Sequence, residues 1–331
     1  MEQLLLVCGR CGCLCSAGWS GNEMRLAPGS SVIAWSTRPD RPESWRPLAP
    51  RAFVASGESF PPWQPGPGLA GSVCGMASIF VTGSSDGIGR ETARQLAEGG
   101  HRVVLHARDD ARAKDAAAAL PGASGVAVGD LSVVAGIRQA AESASALGPY
   151  DAVIHNAGVG GAAARHRTAD GRERIFAVNV LGPYLLTALM PLPSRLVYLT
   201  SGLESVGRVN LDDLQWERRA WDGMQAYSDS KLCDVLLAFA IARRYPRLRS
   251  NAVDPGWIKT KLGGRGATDE LPVGARTQVW LATSDDSGAA VTGRYFKWRR
   301  EMRANPVAYD TDLQEALLAA CATLVGVALP D

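Results

Sequence analysis

Thr82-Gly83-Ser84-Ser85-Asp86-Gly87-Ile88-Gly89 is the stretch on which the fold turns. Before it runs a short apolar segment, Ser78 to Thr82, and after it a helical pattern from Gly87 to Glu98. A glycine turn means little until it lies between a strand and a helix, as this one does. Gly83 permits the tight turn, Gly87 lets the backbone approach a pyrophosphate, and Gly89 allows close helix-to-strand packing. The helix N-terminus adds free N–H groups and the positive end of its dipole. A purely structural turn is the competing reading.

Outward from the turn, strand and helix patterns alternate. Further strands are expected at Arg102 to His106, Gly125 to Gly129, Asp151 to His155, Arg195 to Thr200, Arg249 to Val253 and Val291 to Lys297. Helical patterns fall at Asp109 to Leu120, Val133 to Leu147, Asp170 to Met190, Gly223 to Tyr245 and Leu271 to Ala282, with a last one at Asp310 to Val325. Such alternation predicts an α/β fold, a doubly wound parallel sheet of seven strands in one domain spanning residues 76–331.

Residues 1–75 differ in kind. They hold Cys8, Cys11, Cys13, Cys15 and Cys74, leaving only Cys233 and Cys321 for the rest, and they are Pro-rich without a helix or strand period. They read as an irregular extension without a core of its own, and Met76 reads as a natural first residue. The C-x2-C-x-C-x-C spacing lacks the separated pairs of a zinc ribbon, so no metal is assigned. Leu4 to Val7 is a poor signal sequence, because Glu2 stands where a positive charge is usual and Cys and Gly interrupt the run. The cysteine distribution fits a reducing cytoplasm. Lys and Arg number 35 against 33 Asp and Glu with no basic run, which argues against a nucleic-acid partner. No apolar stretch approaches the length of about 20 residues that a transmembrane helix needs.

The spacing T-G-x-x-x-G-x-G is followed in order by Asn156-Ala157-Gly158, Asn179, Ser201, Tyr227-x-x-x-Lys231 and Asp254-Pro255-Gly256. In this ordered set the chain resembles the short-chain dehydrogenases/reductases, over residues 77 to about 300. The resemblance implies a Rossmann fold and an NAD(P)-dependent oxidoreductase. It places the cofactor against Gly83, Ser85, Asp86, Gly87, Ile88 and Gly89, against Asp130 and Leu131 at the adenine, and against Asn156, Ala157 and Gly158. Pro255, Gly256, Ile258 and Thr260 complete the set, the last on a Gly-rich, lid-like stretch. His155 departs from the Asn more usual before Asn156.

Nucleotide choice turns on Leu105-His106-Ala107-Arg108. Ala107 stands where an NAD-preferring enzyme would carry a carboxylate, and Arg108 resembles the NADP-type ending, so NADP(H) is favoured over NAD(H). Arg90 is a second candidate for the same phosphate, and Asp109 could serve the ribose in a register shifted by one.

Tyr227 and Lys231, four apart on a helix, project from one face. A tyrosine of ordinary pKa, about 10, is a poor base at neutral pH, and lowering it by roughly 3 units takes about 4 kcal/mol of preferential phenolate stabilisation. A fixed ammonium supplies part of that. The resemblance assigns proton transfer to Tyr227, ribose binding and pKa lowering to Lys231, orientation of the substrate oxygen to Ser201 and a water relay to Asn179. The reaction expected is hydride transfer between NADP(H) and a carbonyl or secondary alcohol. A long Ser201-to-Tyr227 interval looks like the retinol-dehydrogenase-like branch and implies a lipophilic small molecule. Trp216, Trp221 and Trp257 either line its pocket or cover the fold. His101, His106, His155 and His166 show no ligand spacing, and the chemistry needs no metal. A catalytically idle NADP(H)-binding sensor or scaffold is the alternative, and reduction of a carbon–carbon double bond a third reading. Family habit implies homodimers or homotetramers, with a monomer left open.

Overall fold

The computed structural model describes residues 75–331, together with the backbone of two short strands nearer the N-terminus. The chain divides into two units, Met1–Ala70 and Gly71–Asp331. In the first, β1 (Gln3–Val7) pairs antiparallel with β2 (Leu14–Gly18), where no strand was expected. The apolar run Leu4 to Val7 is short but long enough for one strand. The expectations for Cys8, Cys11, Cys13 and Cys74 lie outside the described residues.

In the second unit, one sheet has the order β10-β9-β8-β7-β6-β3-β4-β5. Its strands are β3 (Ser78–Val81), β4 (Arg102–Ala107), β5 (Gly125–Val128), β6 (Ala152–His155), β7 (Arg195–Leu199), β8 (Arg249–Asp254), β9 (Arg294–Lys297) and β10 (Arg300–Met302). The seven expected strands are all present and parallel. The eighth, β10, runs antiparallel to β9 and corrects the expected count. Its two-residue turn, Trp298-Arg299, has both residues left-handed at φ 52° and 60°. Such turns are usually announced by Asn-Gly or Asp-Gly, and here nothing announces one.

Alternation along each strand builds two cores. Ile79 and Val81 of β3 join Val103, Leu105, Ile154 and Val197 on one face, while Phe80 joins Val104, Val153, Leu196 and Tyr198 on the other. The first face is covered by α1 (Gly87–Glu98), α2 (Asp110–Ala119) and α7 (Leu271–Thr283). The second is covered by α3 (Val134–Ala146), α4 (Arg174–Phe176), α5 (Gly182–Leu189) and α6 (Gly223–Arg244), with α8 (Thr311–Val325) packed over α6. Helix α6 is buried nearly all round from Ser228 to Ala242, as expected for a helix between a sheet and another helix.

The single helix expected from Asp170 to Met190 is interrupted instead. Gly171, at φ 84°, belongs to a turn, and the helix starts where the buried Glu173 carboxylate accepts the N–H groups of Ile175 and Phe176 at 2.8 and 2.7 Å. Between α4 and α5 the residues Ala177–Leu181 form a π-helical turn centred on Asn179. Such turns recur at functional sites.

Strand order reverses between β3 and β6, because the chain proceeds from β3 through β4 to β5 and then crosses to β6. Open parallel sheets bind their ligands beyond the C-terminal strand ends at such a reversal. The glycine turn leaves β3, and Asn156-Ala157-Gly158 leaves β6, on either side of it.

Candidate active site

Gly83 has φ 61°, and a Cβ there would come within 2.8 Å of Ala157 Cα, so the turn from β3 and the segment after β6 touch backbone to backbone. Thr82 ties them together, its Oγ1 accepting the N–H groups of Asn156 and Ala157 at 2.9 and 3.0 Å. Asn156 answers with its side-chain amide, which donates to the Thr82 carbonyl at 2.8 Å. At Gly89 a Cβ would lie 2.3 Å from Asn156 Nδ2 and 2.4 Å from the Gly83 carbonyl oxygen, which leaves no room for any side chain. These contacts fit a turn held close to a bound pyrophosphate.

His106, at the end of β4, completes the turn. Gly83 N–H donates to its Nδ1 at 3.0 Å, so the ring proton sits on Nε2, which donates to the Gly129 carbonyl at 2.9 Å. Burial pushes its pKa down to about 4. Ser84 points inward, accepting from His106 N–H at 2.8 Å and donating to the Val81 carbonyl at 2.9 Å, whereas Ser85 remains half-buried at the cleft.

Asp86 caps α1 by accepting Gly87 N–H at 2.9 Å and pairs with Lys261 at 2.6 Å. The Lys261 hydrogen bond, with that of Gly87, holds the carboxyl below its ordinary range. The lid-like stretch after β8 is therefore tied to the glycine turn. Thr260 stands beside Gly87, 3.6 Å from where its Cβ would be. The Ile258 side chain is turned away, buried against Gly274 of α7. Pro255 is buried, and Gly256, at φ 101°, donates its N–H to Asp254 at 2.9 Å.

On the β4 and β5 side, Arg108 is exposed and pairs with Asp109 at 3.0 Å. Asp109 is occupied as the cap of α2, accepting Arg112 N–H at 2.8 Å. Asp130 is exposed and accepts Ser132 N–H at 2.9 Å, while Leu131 is buried. Arg90 faces Asp86 at 3.8 Å.

Gly158, in the segment after β6, meets α6 on the other side. Lys231 is buried, and its Nζ donates to the Leu199 carbonyl at 2.9 Å and to Asp234 Oδ2 at 2.7 Å. Burial alone would lower its pKa, but the charges of Asp234 and Tyr227 raise it. Thr200 Oγ1 donates to the Lys231 carbonyl at 2.6 Å, fastening α6 to the end of β7. Tyr227 lies one turn before Lys231, half-buried, with its ring centroid 5.8 Å from Nζ. Ser201 leaves β7 half-buried and caps the short turn Gly202–Val206 through Leu203 N–H at 3.3 Å. Asn179 pairs with both backbone groups of Val159, at 2.8 and 3.1 Å, and donates to Ser230 Oγ at 2.9 Å. A Cβ on Gly158 would stand 3.5 Å from both Asn179 Oδ1 and Lys231 Nζ. The geometry thus brings Ser201, Tyr227, Lys231 and Asn179 to the strand ends beside the glycine turn.

Trp216 and Trp221 cover the fold. They meet edge to face at 5.5 Å and pack on Ile175 and Ala226, with Trp221 Nε1 donating to the Ala162 carbonyl at 2.9 Å. Trp257 is exposed and donates to Gly263 of its own loop at 2.9 Å. Sequence reasoning missed three contributors: Thr82, His106 and Asp234. The third was readable, because a residue three after Lys231 on a helix shares its face. Nothing in the sequence marked His106 as a brace of the turn. Among the described residues no cluster of His, Cys, Asp or Glu is arranged to hold a metal, and no helix is long and apolar enough to cross a membrane.

Comparison with known proteins agrees with this fold. The short chain dehydrogenase family matches residues 77–270. Short-chain dehydrogenase chyC of Penicillium rubens is 42% identical over 259 residues, covering 77% of this chain and 100% of that protein. Retinol dehydrogenase 14 of Homo sapiens is 32% identical over 293 residues, covering 76% of this chain and 86% of that protein. The crystal structure of an uncharacterized protein from Mycobacterium paratuberculosis has a TM-score of 0.68 at 29% identity, covering 77% of this chain and 95% of that one. A blue fluorescent protein from a metagenomic library, solved in complex with NADPH, has a TM-score of 0.52 at 26% identity over 67% of this chain and 95% of its own. This chain belongs to the short-chain dehydrogenase family and is an NAD(P)-dependent oxidoreductase.

Proposed function

We propose that residues 76–331 form an NADP(H)-dependent reductase or dehydrogenase acting on the carbonyl or secondary alcohol of a lipophilic small molecule. The observation that carries this reading is the convergence of Ser201, Tyr227 and Lys231 at the strand ends beside a turn whose Gly83 and Gly89 leave no space for side chains. The nicotinamide cofactor supplies or accepts the hydride when bound. Gly83, Ser85, Gly87 and the N-terminus of α1 hold the pyrophosphate, Asp130 and Leu131 flank the adenine, and Lys231 holds the nicotinamide ribose. Ser201 orients the substrate oxygen by a hydrogen bond, and Tyr227 gives it a proton in reduction or removes one in oxidation. Lys231 favours the phenolate through its charge, and the Asn179 turn links it to solvent. A lipophilic substrate is supported by the exposed Leu203, Val206, Met224 and Leu262. Leu203 and Val206 follow Ser201, Met224 precedes Tyr227 by one turn, and Leu262 reaches across to Gly160.

The test is oxidation of NADPH, followed at 340 nm on protein beginning at Met76, against aldehydes, ketones, quinones and enones. Turnover of ring-bearing or long-chain carbonyls is the expected result. Cofactor binding with no turnover of any compound would favour the sensor reading, and turnover of enones alone the reduction of a double bond.

Cofactor preference has its own test. Arg108 is exposed at the end of β4, and its one partner, Asp109, is already committed as a helix cap. A charge-assisted contact to a 2′-phosphate is worth about 1.5–3 kcal/mol. Arg108→Ala should therefore raise KM for NADPH by about 10- to 100-fold and leave KM for NADH nearly unchanged. Equal effects on both cofactors would remove Arg108 from the phosphate site.

A further inference from the structure

Lys231 shares its pocket with a carboxylate. Asp234, three residues further along α6, places Oδ2 2.7 Å from Lys231 Nζ, and both side chains are almost fully buried. An ammonium has three N–H donors. One goes to Asp234 and one to the Leu199 carbonyl, which fixes the head group against the end of β7 and leaves one donor for a ribose hydroxyl. Gly158 keeps one side clear, since a Cβ there would stand 3.5 Å from Nζ.

We propose that Asp234 is a positioning residue that seats Lys231 on the Leu199 carbonyl and, by offsetting part of the ammonium's field, sets the acidity of Tyr227. This rests on the reading of Tyr227 as the proton donor and acceptor. An ammonium beside an ionised carboxylate acts on its surroundings as a dipole, and a dipole stabilises a phenolate less than a free charge does. The other titratable groups near Asp234 are either held neutral by burial or already paired with a charge of their own. On β7, Tyr198 is pushed far up by burial, and on α6 the Cys233 thiol is raised in the same way. Asp229, also on α6, is engaged by Arg219 at 3.1 Å. Lys231 is thus the charge that Asp234 answers. Burial pushes the Asp234 carboxyl up and the Lys231 ammonium opposes the shift, so the two groups are coupled across their 2.7 Å contact.

Asp234→Asn removes the charge and keeps an oxygen for Lys231 to bond. The ionisation of Tyr227 is read as the 295 nm absorbance difference between each protein and its Tyr227→Phe counterpart, as apoprotein and with saturating NADP+. The midpoint in Asp234→Asn is expected about one pH unit below that of the parent, and Asp234→Glu is expected to stay near the parent. Turnover moves the same way in both directions. Oxidation needs the phenolate, so its rise with pH moves to lower pH, and reduction needs the phenol, so its fall moves there too. An unmoved midpoint in Asp234→Asn, or an equal shift in Asp234→Glu, overturns the proposal by making the carboxylate's charge irrelevant. Asp234→Ser is the second neutral variant should the amide not fold. The reading of Tyr227 fails separately, if Tyr227→Phe keeps its turnover, because the absorbance midpoint does not depend on turnover.

Discussion

On the proposed role of Tyr227, Tyr227→Phe is expected to lower turnover of an NADPH-dependent carbonyl reduction by about 10²- to 10⁴-fold, the range by which a positioned acid or base accelerates proton transfer. NADPH affinity, measured by the quenching of protein fluorescence, is expected to stay near that of the parent. The asymmetry follows from the site. Phenylalanine preserves the ring on α6, and Lys231 keeps its bonds to the Leu199 carbonyl and Asp234, neither of which involves the tyrosine. The glycine turn is held by Thr82, Asn156 and His106 at the ends of β3, β6 and β4, none of them on α6. What is lost is the O–H, to which the proposed mechanism assigns the proton exchange with the substrate oxygen. Ser201 can hydrogen-bond that oxygen, but an aliphatic hydroxyl is far too weak an acid to replace a phenol. Full turnover by Tyr227→Phe would return Tyr227 to the status of a surface residue on a helix.

Much of this site was legible because its residues sit at places where backbone geometry and chemistry coincide. Gly83 and Gly89 could be read as required glycines, and the structure gives the reason as distances of 2.8 Å to Ala157 Cα and 2.3 Å to Asn156 Nδ2. The parallel strands were legible as short apolar runs between helical periods. The features that escaped are those in which a side chain replaces an expected local signal. The β9–β10 turn uses Trp298 and Arg299 where glycine or asparagine is usual, so no turn residue announced β10. The π-helical turn around Asn179 depends on its bonds to Val159 and Ser230, partners 20 and 51 residues away. His106 likewise acts on Gly83, 23 residues earlier and on the neighbouring strand. Hydrophobic periodicity carries no information about such long-range polar pairs.

Two buried histidines are expected to make the fold acid-labile. Lowering the pH from about 6.5 to about 4.5 is expected to remove on the order of 5 kcal/mol through them, a large part of a typical domain's 5–15 kcal/mol. His106 cannot accept a proton without losing the Gly83 N–H bond, since Nε2 already carries the proton given to the Gly129 carbonyl. His155 is constrained differently. Thr187 Oγ1 donates to the Pro183 carbonyl at 2.8 Å, so it must accept from His155 Nε2, 3.1 Å away, and Nδ1 is left without a partner. A second proton would then have no acceptor. Burial pushes these pKa values down to about 4 and about 3, against about 6.5 in the unfolded chain. The unfolded chain therefore binds more protons between those limits. The stabilisation is complete above about pH 6.5 and shrinks as pH falls. Asp234, Glu173 and Glu204, with pKa values raised by burial, act in the opposite sense, while Asp86, Glu91, Asp170 and Asp213, held below the ordinary carboxyl range, act in the same sense as the histidines, so the total curve alone does not report the histidine contribution. The contribution is isolated by difference. His106→Gln keeps an acceptor and a donor on one side chain, and His155→Asn installs the residue more usual there in the family. Urea midpoints at pH 7, 5.5 and 4.5 should fall more steeply for the parent than for the double variant. Parallel lines would mean that the two rings titrate alike folded and unfolded, and that neither is held neutral by the core.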